Sequence, residues 1–176
     1  TLLDKNGAER LFGTARFLGG TALEVDTADG TVRVESKNLV IATGSRPIEI
    51  PGFAYSDERI LDSTQVLALD HIPSKMIVIG GGYIGLEMGM MLAKFGTEVT
   101  VVELQDQLLP GFDPDVVKLI SRKCKKLGMK TLLGVRAQGW EATDNGIALK
   151  VKSGEEEIEV EADYILVTVG RKPNSE

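Results

Sequence analysis

Apolar positions along this chain switch between a period of two and a period near 3.6, and the switches mark its elements. Residues 11–18 are short and mixed and predict a weak strand. Leu23 and Val25 alternate with Glu24 and Asp26, and Val32 and Val34 alternate with Arg33 and Glu35. Both stretches predict half-buried strands, and Asp29-Gly30 between them is a turn pair suited to positive φ. Leu39, Val40, Ile41 and Ala42 are apolar on both faces, as in a buried parallel strand, and the run stops at Thr43-Gly44-Ser45-Arg46-Pro47. Pro47, Pro51 and Gly52 then make a stiff connection, the expected domain boundary. Asp62 or Ser63 caps a short helix through Leu69.

From Met76 the pattern changes. Met76-Ile77-Val78-Ile79 predicts a short buried strand, followed by a glycine-rich turn and a helix to Phe95, which Gly96 closes as a left-handed cap. Residues 99–103 form a second β-branched strand. Asp113 caps the next helix, with Pro114 at its first position, where a missing N–H is harmless. Val116, Val117, Leu119, Ile120, Cys124 and Leu127 recur at helical spacing until Gly128, and residues 129–133 make a third strand. The order β-α-β-α-β is that of a parallel sheet with helices on its faces.

The tail repeats the head. Ile147, Leu149 and Val151 alternate with Lys150 and Lys152, and Ile158 and Val160 alternate with Glu159 and Glu161. The buried run Ile165-Leu166-Val167 then ends in Gly170-Arg171-Lys172-Pro173. Gly13 and Gly139, Gly44 and Gly170, and Pro47 and Pro173 all stand 126 residues apart. The expected organisation is two related units, each with a three-stranded antiparallel flap inserted before its last parallel strand, the first lacking its opening half. Residues 1–52 carry the first flap and one parallel strand, 53–72 a linker with a short helix, and 73–176 the second unit.

Composition narrows the chemistry. With 26 acidic and 20 basic residues the chain carries a net charge of −6, which argues against nucleic acid and anionic membrane as partners. One cysteine among 176 residues excludes an internal disulfide framework, a cysteine-ligated zinc site and a redox pair, and no metal site is expected. A free thiol and no export signal or membrane span fit the cytoplasm. Twenty glycines are a surplus that asks for a cause.

Part of the cause is Gly80-x-Gly82-x-x-Gly85 between a predicted strand and a predicted helix. In that setting the first glycine allows a tight turn, the second lets a pyrophosphate approach the backbone, and the third lets helix and strand pack closely. The helix N-terminus adds free N–H groups and partial positive charge. Glu103, 23 residues after Gly80 at the end of the second strand, suits the adenosine ribose hydroxyls of NAD and opposes the 2′-phosphate of NADP. Leu104, Gln105, Asp106 and Gln107 supply no arginine to offset it. Glu87, placed by this reading in the helix's first turn, either complements the dipole or has a second task. The fold expected is α/β, a Rossmann-like parallel sheet of the FAD/NAD(P)-binding type with an inserted three-stranded antiparallel flap.

Gly80-Gly81-Gly82-Tyr83-Ile84-Gly85-Leu86-Glu87, Val101-Val102-Glu103, Leu109-Pro110-Gly111-Phe112-Asp113, Thr43-Gly44-Ser45-Arg46-Pro47 and Gly170-Arg171-Lys172-Pro173-Asn174 are in one order and spacing over essentially the whole chain. Together they resemble the FAD-dependent pyridine nucleotide-disulfide oxidoreductases, and within them most of all the dihydrolipoamide dehydrogenase branch. The resemblance implies NAD binding by Gly80, Gly81, Gly82, Tyr83, Ile84, Gly85, Leu86, Glu87 and Glu103, with Glu87 facing the nicotinamide ribose. It implies backbone contacts to NAD at Ala137 and Gly170, and FAD contacts at Gly13, Thr43, Gly44 and Ser45. Members pass electrons from a dithiol substrate to a disulfide, then through FAD to NAD. The branch forms homodimers within 2-oxoacid dehydrogenase complexes.

The family's N-terminal glycine triad, redox cysteine pair, late Gly-Asp flavin motif and C-terminal His-Glu pair are not in this sequence. The chain therefore reads as an NAD-binding domain with a slice of an FAD domain, with no catalytic residue and no activity alone, and without retained FAD. The corresponding part of a mercuric reductase or soluble transhydrogenase is the alternative, and a nucleotide-sensing module without flavin is a third reading. Cys124 lies on an apolar helix face and is expected to be a buried structural thiol. His71 stands alone in a polar loop, Trp140 is expected to pack in the core or flap rather than cover an adenine, and Glu155, Glu156 and Glu157 form a hairpin tip. Arg122, Lys123, Lys125 and Lys126 make a solvated face and last turn of the second helix.

Overall fold

In the computed structural model, which describes residues 1–175, the chain divides into two compact units, Thr1–Thr43 and Gly44–Glu176. The first opens with a one-turn helix, α1 (Leu2–Lys5), closed by a capping box between Thr1 and Asp4. Strands β1 (Thr14–Gly19), β2 (Ala22–Thr27) and β3 (Gly30–Glu35) then form an antiparallel meander in that order. Leu23 opposes Phe17 and Val34 across it, and Val25 opposes Ala15 and Val32.

The second unit holds β4 (Ser45–Pro47), β5 (Ile60–Leu61), α2 (Ser63–Leu67), β6 (Lys75–Ile79), α3 (Tyr83–Lys94), β7 (Glu98–Val102), α4 (Pro114–Lys126) and β8 (Lys130–Leu132). It continues with β9 (Arg136–Thr143), β10 (Gly146–Ser153), β11 (Glu156–Ala162), β12 (Tyr164–Val167) and β13 (Arg171–Pro173). Five strands make a parallel sheet in the order β5-β12-β6-β7-β8, so the chain's late strand β12 slots between early ones. The expected α/β class, Rossmann-like sheet and antiparallel flap are all present.

Strand parity sorts the core. Met76, Val78, Val101 and Leu166 share one face of the sheet with Leu86 and Leu92 of α3 and Cys124 of α4. Ile77, Ile79, Ile165 and Val167 face the other way, onto Ile147, Leu149 and Val151 of the β9–β10–β11 flap. Both faces are therefore covered, which is why these strands read as continuous apolar runs. Asp113 caps α4 by accepting from Asp115 N at 2.8 Å, with Pro114 following as predicted. Cys124 is buried as expected, and burial pushes its thiol up from the usual range.

The 126-residue spacing holds for β2 and β3, which displaced by that amount fall on residues 148–153 of β10 and 156–161 of β11. Two short segments that the sequence presents as irregular, β4 and β13, pair with each other antiparallel, Arg46 opposite Lys172. At the ribbon's ends Asn174 N donates to Gly44 O at 3.0 Å, and Ile48 N donates to Gly170 O at 3.1 Å.

One expected strand is missing. Residues 39–42 form no strand, and Val40 and Ile41 are 84% and 68% exposed. Their counterpart 126 residues on is β12, which is buried because β5 and β6 flank it. Among the described residues, 39–42 pair with no parallel neighbour, and an apolar run without a ladder does not become a strand.

Candidate functional site

The glycine-rich turn lies at the carboxyl ends of the parallel strands. Gly80 continues from β6, its N–H donating to Val102 O at 2.9 Å. Its φ is +105°, and a Cβ there would sit 2.7 Å from Thr168 O, so both conformation and space demand glycine. A Cβ on Gly85 would meet Thr168 Oγ1 at 2.4 Å and Gly80 O at 2.5 Å, which is the close helix-to-strand packing foreseen. Gly82 differs: nothing lies within 4 Å of its would-be Cβ. It is the N-cap of α3, no side chain caps that helix, and its first N–H groups are left for another acceptor.

Glu103 follows β7 and is only 7% exposed. Its Oε2 accepts from Gly81 N at 2.6 Å and its Oε1 from Gln105 N at 2.7 Å. The carboxylate is thus fixed against the glycine turn, with lone pairs still free on both oxygens. Leu109 secures the turn from outside, donating its N–H to Gly81 O at 2.8 Å from a left-handed conformation (φ +50°) ahead of Pro110.

These pieces line a cavity of about 1080 Å³. Of the residues singled out from sequence, Gly80, Gly82, Tyr83, Ile84, Glu103, Ala137 and Gly170 lie on its wall. Gly81 is tied to Glu103, and Gly85 and Leu86 are buried beneath it in the packing of α3. Because α3 begins at Tyr83, Glu87 is its fifth residue, so it stands in the second turn rather than the first, and it is exposed. Gly13 and Thr43 belong to the first unit, and Gly44 and Ser45 to the second, where Ser45 accepts from Arg171 through both its side chain and its carbonyl.

Sequence reasoning missed part of the wall. Arg136 and Gln138 flank Ala137 on β9, and all three reach the cavity although a regular strand presents alternate residues. The cause is a bulge: Lys150 pairs with Gly139 and Val151 with Ala137, leaving Gln138 extra. Phe53 and Thr168 also line the cavity. Trp140 packs with the flap-side core, donates Nε1–H to Gly52 O at 3.0 Å, and does not line the cavity. His71 is exposed and pairs with Asp70 at 2.8 Å, while the basic residues 122, 123, 125 and 126 are exposed on α4. No described helix is long and apolar enough to cross a membrane.

The sequence matches the family model of pyridine nucleotide-disulphide oxidoreductases over residues 2–176. It is 43% identical over 176 residues to the dihydrolipoyl dehydrogenase of Bacillus subtilis, covering 99% of this chain and 37% of that protein. To the dihydrolipoyl dehydrogenase of Geobacillus stearothermophilus it is 41% identical over 175 residues, again 99% of this chain and 37% of the other. Among solved structures, LpdA from Mycobacterium tuberculosis superposes with a TM-score of 0.83 at 28% identity, over 98% of this chain and 39% of that one. The flavoprotein disulfide reductase RclA from Escherichia coli gives a TM-score of 0.78 at 27% identity, over 99% and 39%. The chain spans little more than a third of these relatives' length, and it belongs to the pyridine nucleotide-disulphide oxidoreductase family.

Proposed function

We propose that this chain is the NAD(H)-binding portion of a flavoprotein of the dihydrolipoyl dehydrogenase type. The observation that carries the reading is the single cavity that gathers an uncapped helix start, an unobstructed Gly82 and the anchored Glu103. The N–H groups of Tyr83, Ile84 and Gly85 receive the pyrophosphate, with Gly82 giving it room. Glu103 accepts from the adenosine ribose hydroxyls on its free lone pairs. Ala137 and Gly170 hold the dinucleotide through their backbone, Gly81 and Gly85 shape the turn, Leu86 seats the helix, and Glu87 serves the nicotinamide ribose. Bound NAD supplies the hydride acceptor. Nothing in this chain is assigned a bond-making role.

In the parent, Gly13, Thr43, Gly44 and Ser45 contact FAD, and electrons from dihydrolipoamide reach NAD through a disulfide and the flavin. The parent works in the cytoplasm as a homodimeric subunit of a 2-oxoacid dehydrogenase complex. This chain alone, with one buried thiol, is inactive and colourless. Isothermal titration calorimetry tests the reading: NADH binds ahead of NADPH, and Glu103→Gln narrows the gap. Equal affinities before mutation, or a preparation carrying stoichiometric flavin, overturn it.

A further inference from the structure

The residues that follow Glu103 offer no arginine to a 2′-phosphate, but the fold brings one from another element. Among the described residues, three charged side chains line the cavity: Glu103, Arg136 and Arg171. Arg171 is committed, since its Nε donates to Ser45 Oγ at 2.8 Å and its Nη2 to Ser45 O at 2.6 Å. Glu103 is committed to the backbone N–H groups of Gly81 and Gln105 and makes no ion pair within the described residues. Arg136 is exposed and has no hydrogen-bond or ion-pair partner among the described residues, so its guanidinium is available to a ligand.

The backbone says where along the cavity it stands. Val135 N donates to Glu103 O at 3.1 Å, and Gly134 N to Gln105 O at 2.7 Å, so the chain runs alongside the segment after β7 just before it reaches Arg136. Arg136 therefore enters the cavity at the end marked by the acid. At the other end the start of α3 already supplies donors for a pyrophosphate. The bulge at Gln138 keeps this stretch of β9 turned toward the cavity.

We infer that Arg136 determines how strictly this cleft excludes a 2′-phosphorylated dinucleotide. Glu103 repels the phosphate, whereas the planar fork of Arg136 donates to its oxygens. The preference for NADH over NADPH is then graded, set by the opposition of two side chains that lie 33 positions apart in sequence. The inference rests on the adenosine lying against Glu103.

The test is calorimetry on the full chain with NADH, NADPH, AMP and adenosine 2′,5′-bisphosphate. Arg136→Gln weakens NADPH and the bisphosphate by about tenfold or more, the scale of a lost charge-assisted hydrogen bond, and leaves NADH and AMP within about twofold. Arg136→Lys retains part of the NADPH affinity, because it keeps the charge and loses the fork. Added salt weakens NADPH more than NADH in the unmutated chain, and this difference shrinks in Arg136→Gln. Equal loss of both dinucleotides overturns the inference in favour of a pyrophosphate or adenine contact, and unchanged NADPH affinity overturns it outright. A chain that binds neither dinucleotide sinks the cleft reading and the inference together.

Discussion

Two glycines of the same turn answer opposite questions when replaced by alanine. At Gly85 the new methyl would stand 2.5 Å from Gly80 O, 2.4 Å from Thr168 Oγ1 and 2.8 Å from Val78 Cγ1. The first obstacle is backbone. The second is a hydroxyl held by the carbonyls of Ile79 and Gly80 at 3.2 Å each, so neither moves without loss. Reaching ordinary contact means opening the helix-to-strand gap by about 1 Å, and overpacking on this scale costs about 1–3 kcal/mol. Alanine's helix propensity returns about 1 kcal/mol, and the forced backbone shift places Gly85→Ala at the destabilised end. We expect its melting midpoint, followed by far-ultraviolet circular dichroism, to fall by about 3–8 °C. Gly82→Ala, with open space around its Cβ and φ of −76°, should melt with the unmutated chain and lose at least about tenfold in NADH affinity. Gly89→Ala is the control: its Cβ would touch Met129 Cε at 3.0 Å, the far end of a flexible side chain, and Val99 Cγ1 at 3.3 Å. A Gly85→Ala protein as stable as Gly89→Ala refutes the packing argument. A Gly82→Ala protein that binds NADH normally refutes the path of the pyrophosphate.

Three more outcomes are expected. Burial first, and then the charges of Asp62 and Glu49, push the Tyr55 phenol up to about 12, with its hydroxyl donating to the carbonyls of Ile48 and Val167. Its contribution to stability is complete below the unfolded value of about 10 and is lost as pH rises through about 12; ultraviolet titration should find a tyrosine ionising that late, absent from Tyr55→Phe, and its absence from the unmutated chain would contradict the burial of Tyr55. Asp163 accepts from the N–H groups of Ser74 and Lys75 at 2.6 and 2.9 Å, so Asp163→Ala should lower stability in urea by about 1–3 kcal/mol, and Asp163→Asn by much less. Cys124, buried and with its thiol pushed up by burial, should react with dithiobisnitrobenzoate only as the chain unfolds; labelling of the native chain within minutes would contradict its place in the core.

What could be read from the sequence was local. Gly80, Gly82 and Gly85 stand between a strand and a helix within one short window, and Glu103 closes the next strand, so periodicity and spacing reach all four. Asp113-Pro114 announces α4 because a cap and its helix are adjacent. What escaped was non-local. Residues 39–42 carry the composition of a buried strand, but a strand also needs partners, and apolar composition does not supply them. β4 and β13 each looked like a proline-limited connection, because the partner of each lies 126 residues away. Arg136 reaches the cavity only through the register of β9 on β10 and a bulge that no single window reveals.

The small β4–β13 ribbon is symmetric in a way its sequence conceals. Residues 44 and 48 displaced by 126 are 170 and 174, so the two hydrogen bonds at its ends are copies of one bond with the roles exchanged. Arg46 and Lys172, the central pair, are likewise the same position met twice. A residue i that touches j while j touches i is the condition for an isologous contact between identical subunits. Because main-chain groups carry this pairing, Arg46 and Lys172 differ in side chain while the ribbon's backbone keeps a local twofold relation.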